Sequence, residues 1–271
     1  METGDSQRKP LTVSRLHRMK TRGQPIACLT AYDYSFARVA DTAGLDVLLV
    51  GDSLGMVMQG RDTTLPVTMD DMVYHTRCVS AGAGHSLVMA DMPFMSYADP
   101  ATGLYNAGRL LKEGGASMVK LEGAGDQVAI VDALARAGVP VCAHLGLQPQ
   151  LIHKIGGYRV QGREDMAANA MVEDARSLEA AGADLLLVEC IPATLGERLS
   201  RELTIPVIGI GAGPGCDGQI LVLQDMLGIT PGQPPSFARD FMADADSIPE
   251  ALARYVADVR EARFPTDANA F

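Results

Sequence analysis

Apolar runs of strand length recur through the chain at 26–33, 47–53, 86–94, 118–123, 141–146, 185–190 and 207–213, mostly ending in a glycine or a charged residue. Between them lie segments with helical spacing of apolar positions, among them 69–81, 101–113, 127–137 and 167–181. Several of these stop at a glycine before the next run: Ala43-Gly44, Glu113-Gly114-Gly115, Ala137-Gly138 and Ala181-Gly182. Repeated strand-then-helix order predicts a parallel sheet with right-handed crossovers. Residues 220–229 supply an eighth run, readable as a last strand or as the start of a helix. The expected architecture is α/β, a closed (β/α)8 TIM barrel, with a doubly wound open sheet as its competitor. It is expected as one domain over 1–271, with the barrel core over about 26–232 and a helical extension over about 233–271. A short helix at 11–20 could cover the bottom of the barrel. Ser247-Ile-Pro-Glu250 has the capping-box pattern with proline in the first turn. It launches an amphipathic helix through Leu252, Tyr255, Val256 and Val259, expected on the outside.

The residues that end the runs carry the candidate chemistry: Asp33, Asp52-Ser53, Asp91, Glu122, His144 and Glu189. In a parallel barrel these are C-terminal strand ends, the face where catalytic groups sit. Side-chain alternation puts Met118, Lys120 and Glu122 on one face. The same parity groups Leu48, Val50 and Asp52, then Leu87, Met89 and Asp91, then Leu185, Leu187 and Glu189. Helical segments flank the Lys120 strand, so Lys120 and Glu122 project together into a confined space. Buried carboxylates near one another repel, and Lys120 alone does not balance them. A divalent cation would.

Each residue also has a plainer reading. Asp33 is best taken as a helix N-cap, and Asp52, Asp91 and Glu122 taken singly are as readily caps as ligands. Their shared place on successive strands favours ligation. Three carboxylates make a hard oxygen site, suited to Mg2+ with Mn2+ or Co2+ as substitutes. His144 reads equally as a core histidine. The Gly209-Ile-Gly211-Ala-Gly213-Pro-Gly215 run reads as a tight turn, being neither a dinucleotide fingerprint nor a P-loop. The segment 155–163 has the composition of a lid, but also that of any surface loop.

Composition narrows the classes. A chain of 271 residues, 47% hydrophobic and 21% charged, can bury a large core. Its formal charge of −10 argues against a nucleic-acid partner and for cations as inorganic guests. No stretch approaches a membrane span, and METGDSQRKP leads into no apolar signal region. The five cysteines (Cys28, Cys78, Cys142, Cys190, Cys216) form no C-x-x-C pair and sit mostly in apolar runs. They read as buried thiols of a reducing compartment, so a cytoplasmic protein is expected.

Read together, the segments resemble the ketopantoate hydroxymethyltransferase family. The matching stretches are Thr30-Ala-Tyr-Asp-Tyr-Ser35, Val50-Gly-Asp-Ser-Leu-Gly55, Thr64-Leu-Pro-Val-Thr68, Ala90-Asp-Met-Pro-Phe94 and Val119-Lys-Leu-Glu-Gly123. Further along come His144-Leu-Gly-Leu147, Gly156-Gly-Tyr-Arg-Val-Gln-Gly162, Val188-Glu-Cys190, Ile208-Gly-Ile-Gly-Ala-Gly213 and Asp217-Gly-Gln-Ile-Leu221. The likeness runs from roughly Thr30 to Phe241, and departures such as Arg61 fall in segments without an assigned role.

The resemblance implies a Mg2+-binding barrel that transfers a one-carbon unit from 5,10-methylenetetrahydrofolate to 3-methyl-2-oxobutanoate, giving 2-dehydropantoate for coenzyme A synthesis. It implies Asp52 and Asp91 as metal ligands, with Glu122 completing the shell directly or through water. Ser53 and Lys120 hold the substrate, His144 lies close to it, and Glu189 is the general base. It also implies a homo-oligomer, commonly a decamer. The rival enzymatic reading is a Mg2+-dependent carbon–carbon or carbon–phosphorus lyase or mutase of the phosphoenolpyruvate mutase and isocitrate lyase type. Those barrels usually carry a cysteine-containing lid motif, which this sequence lacks. A non-catalytic, metabolite-binding barrel would not need Asp52, Asp91, Glu122 and Glu189 together at one face.

Overall fold

Strand-length runs flanked by helical segments leave a parallel sheet no free face, and in the computed structural model all the strands are buried almost throughout. Residues 9–271 are described. Most of Met1–Pro10, read above as lacking a signal region, therefore lies outside the described residues. The strands are β1 (Ile26–Thr30), β2 (Val47–Val50), β3 (Leu87–Asp91), β4 (Met118–Glu122), β5 (Val141–Gly146), β6 (Leu185–Glu189), β7 (Val207–Ile210) and β8 (Gly218–Leu221). They pair in sequence order, all parallel, and β8 closes on β1. The open-sheet alternative is excluded.

Before the barrel comes α1 (Val13–Thr21), and after β1 comes α2 (Tyr34–Ala43). Following β2 are α3 (Leu54–Val57) and α4 (Met69–Gly82), and α5 (Pro100–Arg109) follows β3. Then α6 (Gln127–Arg136) follows β4, α7 (Ile152–Ile155) and α8 (Asp165–Ala180) follow β5, and α9 (Ala193–Glu202) follows β6. The chain ends with α10 (Leu223–Met226) and α11 (Ile248–Arg260). Helix stops fall where the glycines predict: Gly44, Gly115, Gly138 and Gly182 all hold positive φ. Asp33 caps α2 by accepting a hydrogen bond from Phe36 N at 3.0 Å, as read.

The last unit departs from the pattern. The run read as 220–229 divides into the end of β8 and the one-turn α10, so both of its readings hold for different halves. No helix separates β7 from β8, and α10 is too short to cover the β8–β1 seam. The C-terminal α11 covers it instead. It buries Leu252, Tyr255, Val256 and Val259, and Tyr255 Oη donates to the Cys28 and Gln219 carbonyls on β1 and β8. The capping box forms only in half. Ser247 accepts from Glu250 N, but the Glu250 carboxylate reaches past it to accept from Asp246 N.

Inside the barrel, Ile26, Cys28, Val47, Leu49, Leu87, Met89, Met118, Cys142, Leu185 and Leu187 form one apolar cluster that includes Leu11 and Leu16. The segment read as a bottom cover does plug the barrel through Leu16. The outward residues Val88, Val119, Leu121, Leu186 and Val188 belong to the larger cluster shared with the helices. This sorting confirms the alternation on β3, β4 and β6 and overturns it on β2. There Val47 and Leu49 face inward while Leu48 and Val50 pack outward. No helix among the described residues is long and apolar enough to cross a membrane, and all five cysteines are free.

Candidate active site

Register sets the geometry. Asp91 sits opposite Lys120 across the β3–β4 pair, Glu122 opposite His144 across β4–β5, and Gly146 opposite Glu189 across β5–β6. Lys120 Nζ donates to Asp91 Oδ1 at 2.5 Å, and both side chains are buried. Asp52 reaches the same place by another route. Strand β2 ends at Val50, and the turn after it brings Asp52 inward with its backbone N donating to Asp91 Oδ2 at 3.0 Å. The placement is as predicted, and the parity argument for it is not. Ser53 follows, its Oγ 2.9 Å from Tyr32 Oη. Neither Asp52 nor Asp91 caps a helix, so the plainer reading falls away for both.

Asp52, Ser53, Asp91, Lys120, Glu122, His144 and Glu189 all line one cavity of about 620 Å3 at the C-terminal end of the barrel. His144 Nδ1 lies 3.5 Å from Glu122 Oε1, and Nε2 lies 3.5 Å from Glu189 Oε2. Neither contact is aligned as a hydrogen bond, so both ring nitrogens are buried without a partner. Burial, then the Lys120 charge, holds the imidazole well below its usual pKa and keeps it neutral. Burial alone would lower the Lys120 pKa, but Asp91, Glu122 and Asp52 around it outweigh that and raise it. Asp52 is pushed well up by burial and by repulsion from Asp91 and Glu122. Burial raises Glu122 to about 7, against the pull of Lys120. Glu189 rises to about 8 through burial and repulsion from Glu122.

The backbone around Glu189 is specialised. Cys190, immediately after it, holds φ +49, a left-handed conformation that costs of order 1–3 kcal/mol for a non-glycine residue. Gly146 (φ +91) must lack a side chain, because a Cβ there would collide with the Glu189 carbonyl oxygen. Tyr158 and Arg159, from the lid-like segment, line the cavity.

Sequence reasoning missed Gln150 and Tyr97. Gln150 Nε2 donates to Asp52 Oδ2 at 2.9 Å and to the Met92 carbonyl, while its backbone N donates to Glu122 Oε2 at 3.1 Å. Tyr97 Oη donates to Gln150 Oε1 at 2.5 Å and accepts from Glu122 N at 3.3 Å. The two residues tie Asp52 to Glu122 from outside the cavity. Gln150 lies in a one-turn 3-10 helix (Pro149–Leu151) and Tyr97 in a loop, where neither alternation nor strand ends give a signal.

Among the described residues, no three His, Cys, Asp or Glu side chains form a ready-made metal cage. What the site offers is more open. Asp52 keeps Oδ1 free, whereas Glu122 is engaged by Gln150 N at one oxygen and faces His144 with the other.

The family model of the ketopantoate hydroxymethyltransferases matches residues 10–267. A 3-methyl-2-oxobutanoate hydroxymethyltransferase of Alkalilimnicola ehrlichii is 66% identical, over 100% of this chain and 99% of its own. Another of that name, from Halorhodospira halophila, is 62% identical over 96% of this chain and 94% of its own. Among solved structures, a phosphonopyruvate hydrolase complex with oxalate and Mg2+ superposes with a TM-score of 0.62 at 16% identity, covering 94% of this chain and all of the other. A 2,3-dimethylmalate lyase of the PEP mutase/isocitrate lyase superfamily gives a TM-score of 0.58 at 19% identity over 78% of each chain. At such identities the structural likeness carries the barrel fold and no chemistry, so the lyase alternative gains nothing from it. The sequence matches decide the family: the chain belongs to the ketopantoate hydroxymethyltransferases, and it is a transferase acting on small molecules.

Proposed function

We propose that this chain transfers the one-carbon unit of 5,10-methylenetetrahydrofolate to C3 of 3-methyl-2-oxobutanoate, giving 2-dehydropantoate. The observation that carries the reading is the convergence of Asp52, Asp91, Glu122 and Glu189 on one buried cavity whose single strand-borne cation is Lys120. A metal fits this donor set. The repulsion that raises Asp52 is what a divalent cation would relieve, and Mg2+ takes one or two carboxylates plus substrate oxygens and waters in preference to an all-protein cage. Asp52 and Asp91 would hold it, with Glu122, one oxygen of which accepts from Gln150 N, joining directly or through water. Mn2+ or Co2+ would serve as substitutes. When bound, the ion supplies Lewis acidity toward the keto oxygen of a 2-oxo acid.

The protein's own groups do the rest. Lys120, held charged by its carboxylate neighbours, compensates negative charge on the substrate. Ser53, fixed by Tyr32, hydrogen-bonds the oxo acid. Neutral His144 stands between Glu122 and Glu189 and lines the cavity beside the substrate. Glu189 takes the C3 proton. Burial raises its pKa and so makes it a stronger base than an ordinary carboxylate, and a general base contributes roughly 10²–10⁴-fold. Water breaks both C–N bonds of the methylene carbon, the protons go to the folate nitrogens and tetrahydrofolate is released; the C3 carbanion then adds to the freed formaldehyde carbon, and the new alkoxide takes back the proton from Glu189. Burial keeps bulk water from reprotonating C3. The chain works as one barrel unit, core 26–232 with extension 233–271, in the cytoplasm and as a homo-oligomer, a decamer by family resemblance.

Proton removal needs no folate, which makes it testable alone. With Mg2+ in D2O, the protein exchanges deuterium into C3 of 3-methyl-2-oxobutanoate, followed as loss of the methine proton NMR signal. Glu189→Gln keeps shape but accepts no proton, so exchange and transfer fall together by roughly 10²-fold or more while Mg2+ affinity holds. Persistent exchange in Glu189→Gln ends the general-base assignment.

A further inference from the structure

At about 620 Å3 the cavity lies in the range that houses drug-sized ligands, far more than a five-carbon oxo acid fills. Strand β4, which carries Lys120, stands across the barrel from β8. On the β8 side the cavity is walled by Ile220, Val222, Pro231 and Phe237. Set among them is Asp225 of α10, only 5% exposed yet lining the cavity. Its Oδ1 accepts from Thr230 Oγ1 at 2.5 Å. Among the described residues Oδ2 has no hydrogen-bond donor and no cation pairs with the carboxylate. Thr64, also on the cavity wall, buries a hydroxyl without a partner.

A buried carboxylate facing a cavity unpaired asks for N–H donors. It repels the oxo acid, whose negative charge belongs at Lys120. It suits a flat heterocycle that presents adjacent N–H groups, since two parallel N–H···O bonds to a carboxylate are among the stronger and more directional contacts. Building on the folate-donor reading above, we propose that Asp225 anchors the pterin head of the folate through the N–H groups of its 2-amino-4-oxopyrimidine edge. The two substrates then bind at opposite walls, and the carbons that join lie between them. Ile220, Val222 and Phe237 pack against the ring.

The competing role for Asp225 is structural, as the acceptor that fastens Thr230. Asp225→Asn and Thr230→Ala separate the two. Asp225→Asn should raise the Kd for tetrahydrofolate, measured by calorimetry, and the KM for the methylene donor by roughly tenfold or more. Folate-independent deuterium exchange at C3 and the KM for the oxo acid should stay as in wild type. Thr230→Ala should keep folate affinity, because the carboxylate remains. On the wild-type protein, a tetrahydrofolate analogue lacking the 2-amino group should bind about as poorly as the parent compound binds Asp225→Asn. Unchanged folate affinity in Asp225→Asn overturns the assignment, as does equal weakening in Thr230→Ala or an analogue that binds like its parent. Failure of wild-type C3 exchange would instead strike the proposed function, leaving folate affinity to judge Asp225.

Discussion

Along the inner face of β4, Met118 lies beneath Lys120 and Lys120 beneath Glu122; along β3 and β6 the climb is Leu87, Met89, Asp91 and Leu185, Leu187, Glu189. The same strands on the same face are built to opposite rules at the two ends. Below, apolar side chains meet Leu16 of α1 in a closed cluster, each buried Å2 contributing about 25 cal/mol. Above, carboxylates crowd around Lys120 with their charges raised in energy. The fold draws its stability from the bottom and the outer shell, which lets the top hold a destabilised constellation poised for chemistry. Damage to the two ends should therefore read out differently.

The largest stability effect belongs to the bottom. Leu16→Ala removes the plug residue, and a buried Leu→Ala change costs about 2–5 kcal/mol. Urea denaturation should show that loss while the turnover number is retained. Equal loss of turnover would mean the two ends are coupled. At the top the expectation reverses: Asp52→Asn or Asp91→Asn leaves the fold intact and weakens Mg2+ binding by roughly a hundredfold, because ligand charge sets affinity at a hard-cation site. Calorimetric titration with unchanged affinity in both variants would remove them as ligands.

A smaller effect probes the groups behind the site. Gln150→Leu fills the same space but loses the donor to Asp52 Oδ2, and outer-shell partners are worth roughly 10–100-fold in metal affinity or activity. Tyr97→Phe, one bond further out, should shift affinity the same way by less. If Gln150→Leu folds and binds Mg2+ like wild type, the network merely holds the loops together.

How much of this the sequence reveals follows from what alternation can encode. Lys120, Glu122, Asp91 and Glu189 lie within strands whose inner face also bears recognisable apolar residues, so their direction was legible. Asp52 lies beyond β2, where the turn and not the pleat sets direction, so a correct placement came with an incorrect reason. Strand β8 was blurred because Leu221 runs through Val222 into α10 with no glycine or charge to mark the break. Gln150, Tyr97 and Asp225 gave no signal. An amide in a 3-10 turn, a loop tyrosine and a short-helix acid acquire meaning only once folding brings them to the site.

The smallest effect is the most direct test of the contrast between the two ends, and it uses the unmodified protein. Without a divalent cation, Glu189 titrates near 8 and Glu122 near 7 in the folded state, against an ordinary 4.5 for both. Between those limits the folded protein binds more protons than the unfolded chain, so stability falls as pH rises. His144 acts oppositely, since its unfolded form gains a proton below about 6.5 while the buried ring stays neutral. The informative window therefore lies between about pH 6.5 and 8, where His144 contributes little. In chelator, lowering the pH across it should raise stability by about 2 kcal/mol, or roughly 4–8 °C in Tm for a chain of this size. Adding Mg2+ should flatten or reverse the slope, because the ion competes with protons for the same carboxylates. A calorimetric scan with a flat Tm in chelator would show that the upper carboxylates are not crowded in the free protein. The upper half would then need no cation, and the case for a metal would rest on ligand chemistry alone.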